Sequence, residues 1–235
     1  TVFQTEVTTY DMDFQHRFPF GRRQEVISGL NYRRVHDDTE GDFPAAFKPL
    51  SRTTHLLSAF VQDEVQLIED RLSFTAGSKF EHNDYTGWEV QPNVRLAAAL
   101  HPRHMVWAAV SRSVRIPSRA EVSLRYVRVR VPEEDLGGFP PDAPPVFAGL
   151  VAGPGFKAER LRAHEAGYRM RPHDDVSLDI AAFYNVYHDL RSVYPREDSL
   201  ILVGGAAPYL LVPFILRNQL DGRTYGIEAA LQWQV

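Results

Sequence analysis

The chain has 235 residues, 44% hydrophobic, 24% charged and 11% aromatic, a balance that excludes both a disordered polymer and a collagen-like repeat. A net charge of −4 gives no bulk reason for a nucleic-acid partner, and the absence of cysteine removes disulfide frameworks and thiolate metal sites. Thr1 opens a polar, strand-like run, so no secretory leader is expected in the chain as it stands.

Apolar and polar residues alternate from the start. Tyr10, Met12 and Phe14 are interleaved with Asp11, Asp13 and Gln15, which predicts a strand over 1–16 with one apolar face. A tight connection at 19–23 leads to a strand over 24–35, and a long one at 36–53 to a strand over 54–67. After a turn at 68–71, Leu72, Phe74, Ala76 and Phe80 oppose Thr75, Lys79 and Glu81 within 71–82. Pro92, Val94, Leu96, Ala98 and Leu100 oppose Gln91, Asn93 and Arg95 within 89–100, and the turn at 101–104 starts a strand over 104–115. The connection at 116–158 is long, and 121–131 within it has the pattern of an added, protruding strand. A strand over 159–171 turns into 175–188, where Val176, Leu178, Ile180, Ala182, Tyr184 and Val186 share a face. Residues 199–216 carry no charge and approach the length of a spanning helix. Gly204, Gly205, Pro208 and Pro213 interrupt that stretch, at about 3 kcal/mol per proline and about 1 per glycine in a helix. It therefore reads as the end of a loop at 188–208 followed by a strand over 209–235. There Tyr225, Ile227, Ala229, Leu231, Trp233 and Val235 face away from Thr224, Gly226, Glu228, Ala230, Gln232 and Gln234. No helical stripe is sustained anywhere, so the expectation is an all-β chain of about nine strands.

Connection lengths tell what the apolar face meets. Tight turns at one end of the strands and mostly long loops at the other are the pattern of an antiparallel transmembrane β-barrel, whereas a soluble sandwich has no reason to segregate them. Strands of roughly 11–16 residues are long for soluble sheets and sufficient for a tilted span. Tyr225 and Trp233 lie roughly 26 Å apart along one strand, or about 19 Å across a bilayer at 45° tilt, a separation suited to two aromatic girdles. Nine is an odd count where single-chain bacterial barrels use even ones, and an open sheet leaves backbone groups unpaired in lipid. The chain is thus expected to be part of a larger barrel wall.

Four blocks carry a family resemblance. SAFVQDEVQL (58–67) with DRLSFTAGSKFE (70–81) resembles a hairpin of TonB-dependent receptors, and VQPNVRLAAALHPRHMVWAAVSRSVRIPSRAE (90–121) is similar to the next hairpin and its run into a large outer loop. ERLRAHEAGYRMRPHDDVSLDIAAFYNVYHDLRS (159–192) and NQLDGRTYGIEAALQWQV (218–235) resemble later strands in the same order. The resemblance covers most of 54–235. It implies a barrel of roughly 22 strands with a plug in its lumen, driven by the TonB energy-coupling protein acting on a plug segment that is absent from this sequence. It further implies outer-membrane lipid and lipopolysaccharide as surroundings and a small-molecule nutrient, by family default a ferric siderophore, as ligand.

In that frame Gln62, Glu64, Gln91, Asn93, Arg95, Glu165, Arg169, Glu228 and Gln232 are expected to face the lumen, where they could hydrogen-bond a plug or a wetted wall. Arg125, Arg128 and Arg130, with Tyr126 beside them, offer a basic outer-loop strand for an anionic ligand or for lipopolysaccharide phosphates. The bland reading of both sets is solvated wall and loop. No catalytic residue, metal ligand or cofactor is expected. His101 and His104 share a turn without helical zinc spacing, the acidic pairs Asp37/Asp38 and Asp174/Asp175 fall in connections, and no nucleophile-elbow or phosphate-cradling loop occurs. A passive porin or adhesin barrel, and less readily an outer-membrane hydrolase, remain as alternatives.

Overall fold

Period-two sequence becomes one continuous sheet. The computed structural model describes residues 3–41, 44–132, 140, 143–196, 200–205 and 207–234. Thr1, Val2 and Val235, included in the expected terminal strands, lie outside them. Nine long strands form the wall: β1 (Gln4–Phe20), β2 (Gln24–Glu40), β4 (Ser51–Ile68), β5 (Leu72–Asn83), β6 (Gly87–His101), β7 (His104–Arg115), β10 (Glu159–His173), β11 (Val176–Pro195) and β13 (Tyr209–Trp233). Each pairs antiparallel with the next in that order.

Among the described residues the sheet has 13 strands, against nine principal strands expected and an added one within 121–131. The additions are β3 (Ala45–Phe47), β8 (Leu124–Arg130), β9 (Val146–Ala152) and β12 (Ile201–Val203), all within the three long connections. Runs of three or seven residues bounded by Pro and Gly are too short to display a period. Of the four, β8 had a legible signature. A five-residue helix, α1 (Arg119–Ser123), is the sole helix among the described residues, and none there is long and apolar enough to cross a membrane. The long strands also outrun expectation: β11 extends to Pro195 and β2 to Glu40, so part of each expected loop is strand standing beyond the wall.

Register keeps each apolar face in line. Val94, Val110, His164, Tyr184 and Tyr225 are successive cross-strand partners from β6 to β13. Tyr225, Ile227, Leu231 and Trp233 are all at least 69% exposed. Trp233 pairs with Val176 beside the tight turn, while Tyr225 pairs with Tyr184 towards the other end, so the two aromatics mark the opposite margins of one apolar band. Gly21, at φ +71°, turns β1 into β2 with open space around its missing Cβ, so torsion alone requires glycine there. Gly167 is glycine for the other reason: a Cβ would sit 2.5 Å from the Trp107 ring, which lies over it from the neighbouring strand. Gly29 under Phe60 and Gly226 under Phe183 repeat that arrangement, all on the polar face.

The buried core lies outside the wall. The outer half of β13 pairs in parallel with β9, β9 pairs with β8, β8 with β3, and β12 lies along β13. Val127, Val203, Tyr209 and Leu211 form its centre, flanked by Phe147 and Val151.

Candidate functional site

Three groups of polar residues concentrate on or beside the polar face. The register puts Gln62, Glu64, Gln91, Asn93, Arg95, Glu165, Arg169, Glu228 and Gln232 on that one face: Glu64 pairs with Thr75 and Thr75 with Arg95, Arg95 with Ala109 and Ala109 with Glu165. Six of them line a cavity of about 630 Å³: Gln62, Glu64, Asn93, Arg95, Glu165 and Arg169. Gln91 lines a second, of about 540 Å³, with Asp13, Arg33, Lys79 and Glu81. Glu228 and Gln232 lie further along the face, on β13.

The face is only partly self-satisfied. Arg169 is held by Asp179 through Nε at 2.8 Å, and Lys79 donates to Glu81 at 2.8 Å. Asp11 accepts from Arg33 and, at 2.8 Å, from Asn31. Arg95 stacks its guanidinium 5.5 Å from the Trp107 ring centre. Among the described residues no hydrogen bond or ion pair reaches the side chains of Gln62, Asn93 or Glu165, which leaves amide and carboxylate groups presented to whatever fills the cavity.

The second group ties the 116–158 connection to the outer ends of the strands. Arg115, the last residue of β7, donates to Glu159 at 2.7 and 2.8 Å and to Glu121 at 2.8 and 3.0 Å. Ser118 caps α1 in a capping box: its backbone N–H donates to Glu121 at 2.7 Å while its hydroxyl accepts from the Glu121 N–H. Burial pushes the Glu121 carboxyl up, but hydrogen bonds from Arg115 and from the Ser118 backbone outweigh it and hold it down at about 2. Glu159 is likewise lowered, first by Arg115, against its own burial. Arg119 adds a clamp, donating to Asp37 at 2.9 Å and to the Pro49 carbonyl at 2.5 Å while lying 5.0 Å over the Phe47 ring. Arg52 completes it, over the Tyr85 ring at 4.7 Å. Sequence reading passed over this hub, yet the S-x-x-E spacing of Ser118 and Glu121 is a legible helix start.

The third group is β8. A bulge between Val127 and Val129 resets its alternation. Arg125, Val127 and Arg130 pair with Val151, Gly149 and Phe147 and so share a side, whereas Tyr126 pairs with Leu150 on the other. Arg125 is half-buried beside the core, Tyr126 and Arg130 are exposed, and the side chain of Arg128 lies outside the described residues. Arg125 and Arg130 thus share one side of β8 and Tyr126 takes the other. No group of three or more potential metal ligands occurs among the described residues.

The family description "TonB dependent receptor-like, beta-barrel" matches residues 1–235. A search of curated proteins gives no match. Among solved structures, the siderophore receptor PirA from Acinetobacter baumannii superposes with a TM-score of 0.73 at 14% identity, over 97% of this chain and 34% of that one. A mutant of the ferric enterobactin receptor PfeA from Pseudomonas aeruginosa gives 0.74 at 17% identity, over 97% and 33%. The FrpB iron transporter from Neisseria meningitidis gives 0.66 at 13%, over 98% and 34%. This chain spans about a third of the length of these receptors. It belongs to the TonB-dependent receptor-like β-barrel family and is a segment of a bacterial outer-membrane protein.

Proposed function

We propose that this chain is wall and outer loops of a receptor that takes up a scarce nutrient, a ferric siderophore, through a barrel of roughly 22 strands. The observation that carries the reading is a two-faced wall continuous with an ordered outer-loop sheet. A mainly apolar face, interrupted by Asp63 in the row of Val26, Ala76 and Val94, suits lipid; the opposite face is polar and partly unsatisfied, and the Arg115–Glu121–Glu159 hub fixes the loops over the polar side. In this account Gln62, Glu64, Gln91, Asn93, Arg95, Glu165, Arg169, Glu228 and Gln232 line the lumen and hydrogen-bond a plug or water. Arg125, Tyr126, Arg128 and Arg130 meet the anionic ligand before it enters. The energy-coupling partner TonB acts through a plug belonging to the full-length protein. The ferric complex is supported by what similar receptors are described as carrying, a siderophore and ferric enterobactin.

Uptake of radiolabelled ferric siderophore by iron-starved cells carrying the full-length receptor tests this. Uptake should collapse when the energy-coupling protein is deleted. Uptake that persists, together with steady conductance in planar bilayers, would instead indicate a passive pore.

A further inference from the structure

We infer that the barrel wall parts along a seam between the outer ends of β6 and β7, which two side-chain latches hold shut in place of a backbone ladder. The inference rests on the reading of this chain as barrel wall. β6 reaches outward to Gly87 and β7 to Arg115, yet their pairing stops at Asn93 and Ser111. Each strand stays paired on its other side, β6 with β5 as far as Gly87 and β7 with β10 as far as Arg115. The two strands therefore part only from each other.

Pro92 explains where the ladder ends. On β6 the Ala99 N–H donates to the Arg71 carbonyl at the start of β5, whereas the Val90 carbonyl accepts from Arg112 on β7. Backbone groups alternate sides along a strand, so odd positions of this stretch address β5 and even ones address β7. Pro92 thus turns towards β7 a nitrogen that has no hydrogen, opposite the place where the register would continue to Arg112. Beyond it the Arg112 side chain donates to the Val90 carbonyl and lies 3.3 Å from Glu89, and the Val114 N–H donates to the Gln91 side chain at 3.3 Å. The Gln91 latch is long beside a ladder bond of about 2.9–3.0 Å.

A cavity borders the seam on either side. One of about 490 Å³ is lined by Glu89, Arg112 and Arg160, and one of about 540 Å³ on the polar side by Gln91, Val114 and Arg115. The seam begins beyond Val110, which lies in the row of Tyr184 and Tyr225 at the margin of the apolar band. Unpaired backbone is thereby kept out of the hydrocarbon, where it is not tolerated. Arg115 fastens the outer end of β7 to Glu159 at 2.7 Å and to Glu121 at 2.8 Å. On opening, β7 therefore travels with β10 and the 116–158 connection, leaves β6 with β4 and β5, and joins the two cavities.

The test is residue-resolved hydrogen exchange on the full-length receptor in detergent micelles. In the native protein the Arg112 and Val114 amides should exchange at least about tenfold faster than those of Ala108 and Val110, which face β6 within the ladder. Arg112→Ala should speed Val114 about a further tenfold although its acceptor Gln91 is retained, because the latches open together. Pro92→Ala, which supplies the missing donor, should slow both amides at least about tenfold. Equal exchange along β7, a Val114 amide indifferent to Arg112→Ala, or Pro92→Ala without effect would each overturn the seam. If Arg112→Ala fails to fold, the native protein and Pro92→Ala still decide. Folding is scored separately by the heat-dependent gel mobility of the barrel. A native protein without that mobility shift contradicts the wall reading, whereas a folded barrel with uniform exchange along β7 contradicts only the seam.

Discussion

Val94, Leu96 and Val110 in the wall are 44%, 43% and 51% exposed, while Val127, Val146 and Leu211 in the outer-loop sheet are 4%, 2% and 0% exposed. The same residue types in the same strand geometry thus serve two different solvents. The wall is one layer thick, held by long backbone ladders with register shifts in four of its pairings, and its apolar side chains face lipid. The loop sheet makes a core of its own and is roped to the strand ends by Arg115, Arg119 and Arg52. Stability of the wall should therefore depend on the membrane, and that of the loop sheet on packing and buried ion pairs.

The largest expected effect falls on the ropes. Arg115→Ala leaves Glu121 buried without its main partner and should destabilise the 116–158 connection by about 3–5 kcal/mol, seen as faster hydrogen exchange there and none in β4–β6. Acid should do the same. The Glu121 carboxyl sits at about 2, below its ordinary 4.5, so its contribution is complete above about pH 4.5 and is lost as pH falls towards 2. Glu121→Gln should flatten that acid dependence of loop protection; a profile unchanged by the substitution would place the pH sensitivity elsewhere.

Next come the two solvents themselves. Leu211→Ala should cost the loop sheet about 3 kcal/mol, measured by limited proteolysis of the outer loops. Ile227→Arg, on the apolar face, should cost about 2–4 kcal/mol in a bilayer-based unfolding titration, while Glu228→Gln on the polar face should stay within about 0.5. Equal penalties at 227 and 228 would break the comparison. Gly167→Ala should have a smaller effect than Ile227→Arg, about 1–2 kcal/mol, because the Trp107 ring must lift from the strand; near-ultraviolet circular dichroism would report the displaced indole.

Legibility followed the same division. The wall could be read because lipid on one side enforces a strict period of two, so Tyr225 to Trp233 and Val176 to Tyr184 declared their faces without structural help. The shared face of Gln62, Arg95 and Glu165 followed from the same parity. The loop sheet resisted reading because β3 and β12 have three residues each, and because its parallel β9–β13 pairing joins segments with three strands between them. In β8 a single bulge resets the alternation, so that Arg125 and Arg130, which a strict period of two would place on opposite faces, share a side. The hub joins Arg115, Glu121 and Glu159 across sequence gaps that no local pattern spans, apart from the Ser118–Glu121 capping box.

The central claim, a lipid-facing and a lumen-facing side of one wall, is tested most directly by cysteine scanning, to which these 235 residues contribute no native thiol. Single cysteines placed in turn from 224 to 231 of the full-length receptor in outer-membrane vesicles can be titrated with a membrane-impermeant maleimide. The expected result is strict alternation, with Tyr225→Cys, Ile227→Cys, Ala229→Cys and Leu231→Cys protected and Thr224→Cys, Gly226→Cys, Glu228→Cys and Ala230→Cys modified. Uniform labelling along the strand, or alternation in the opposite phase, would contradict it.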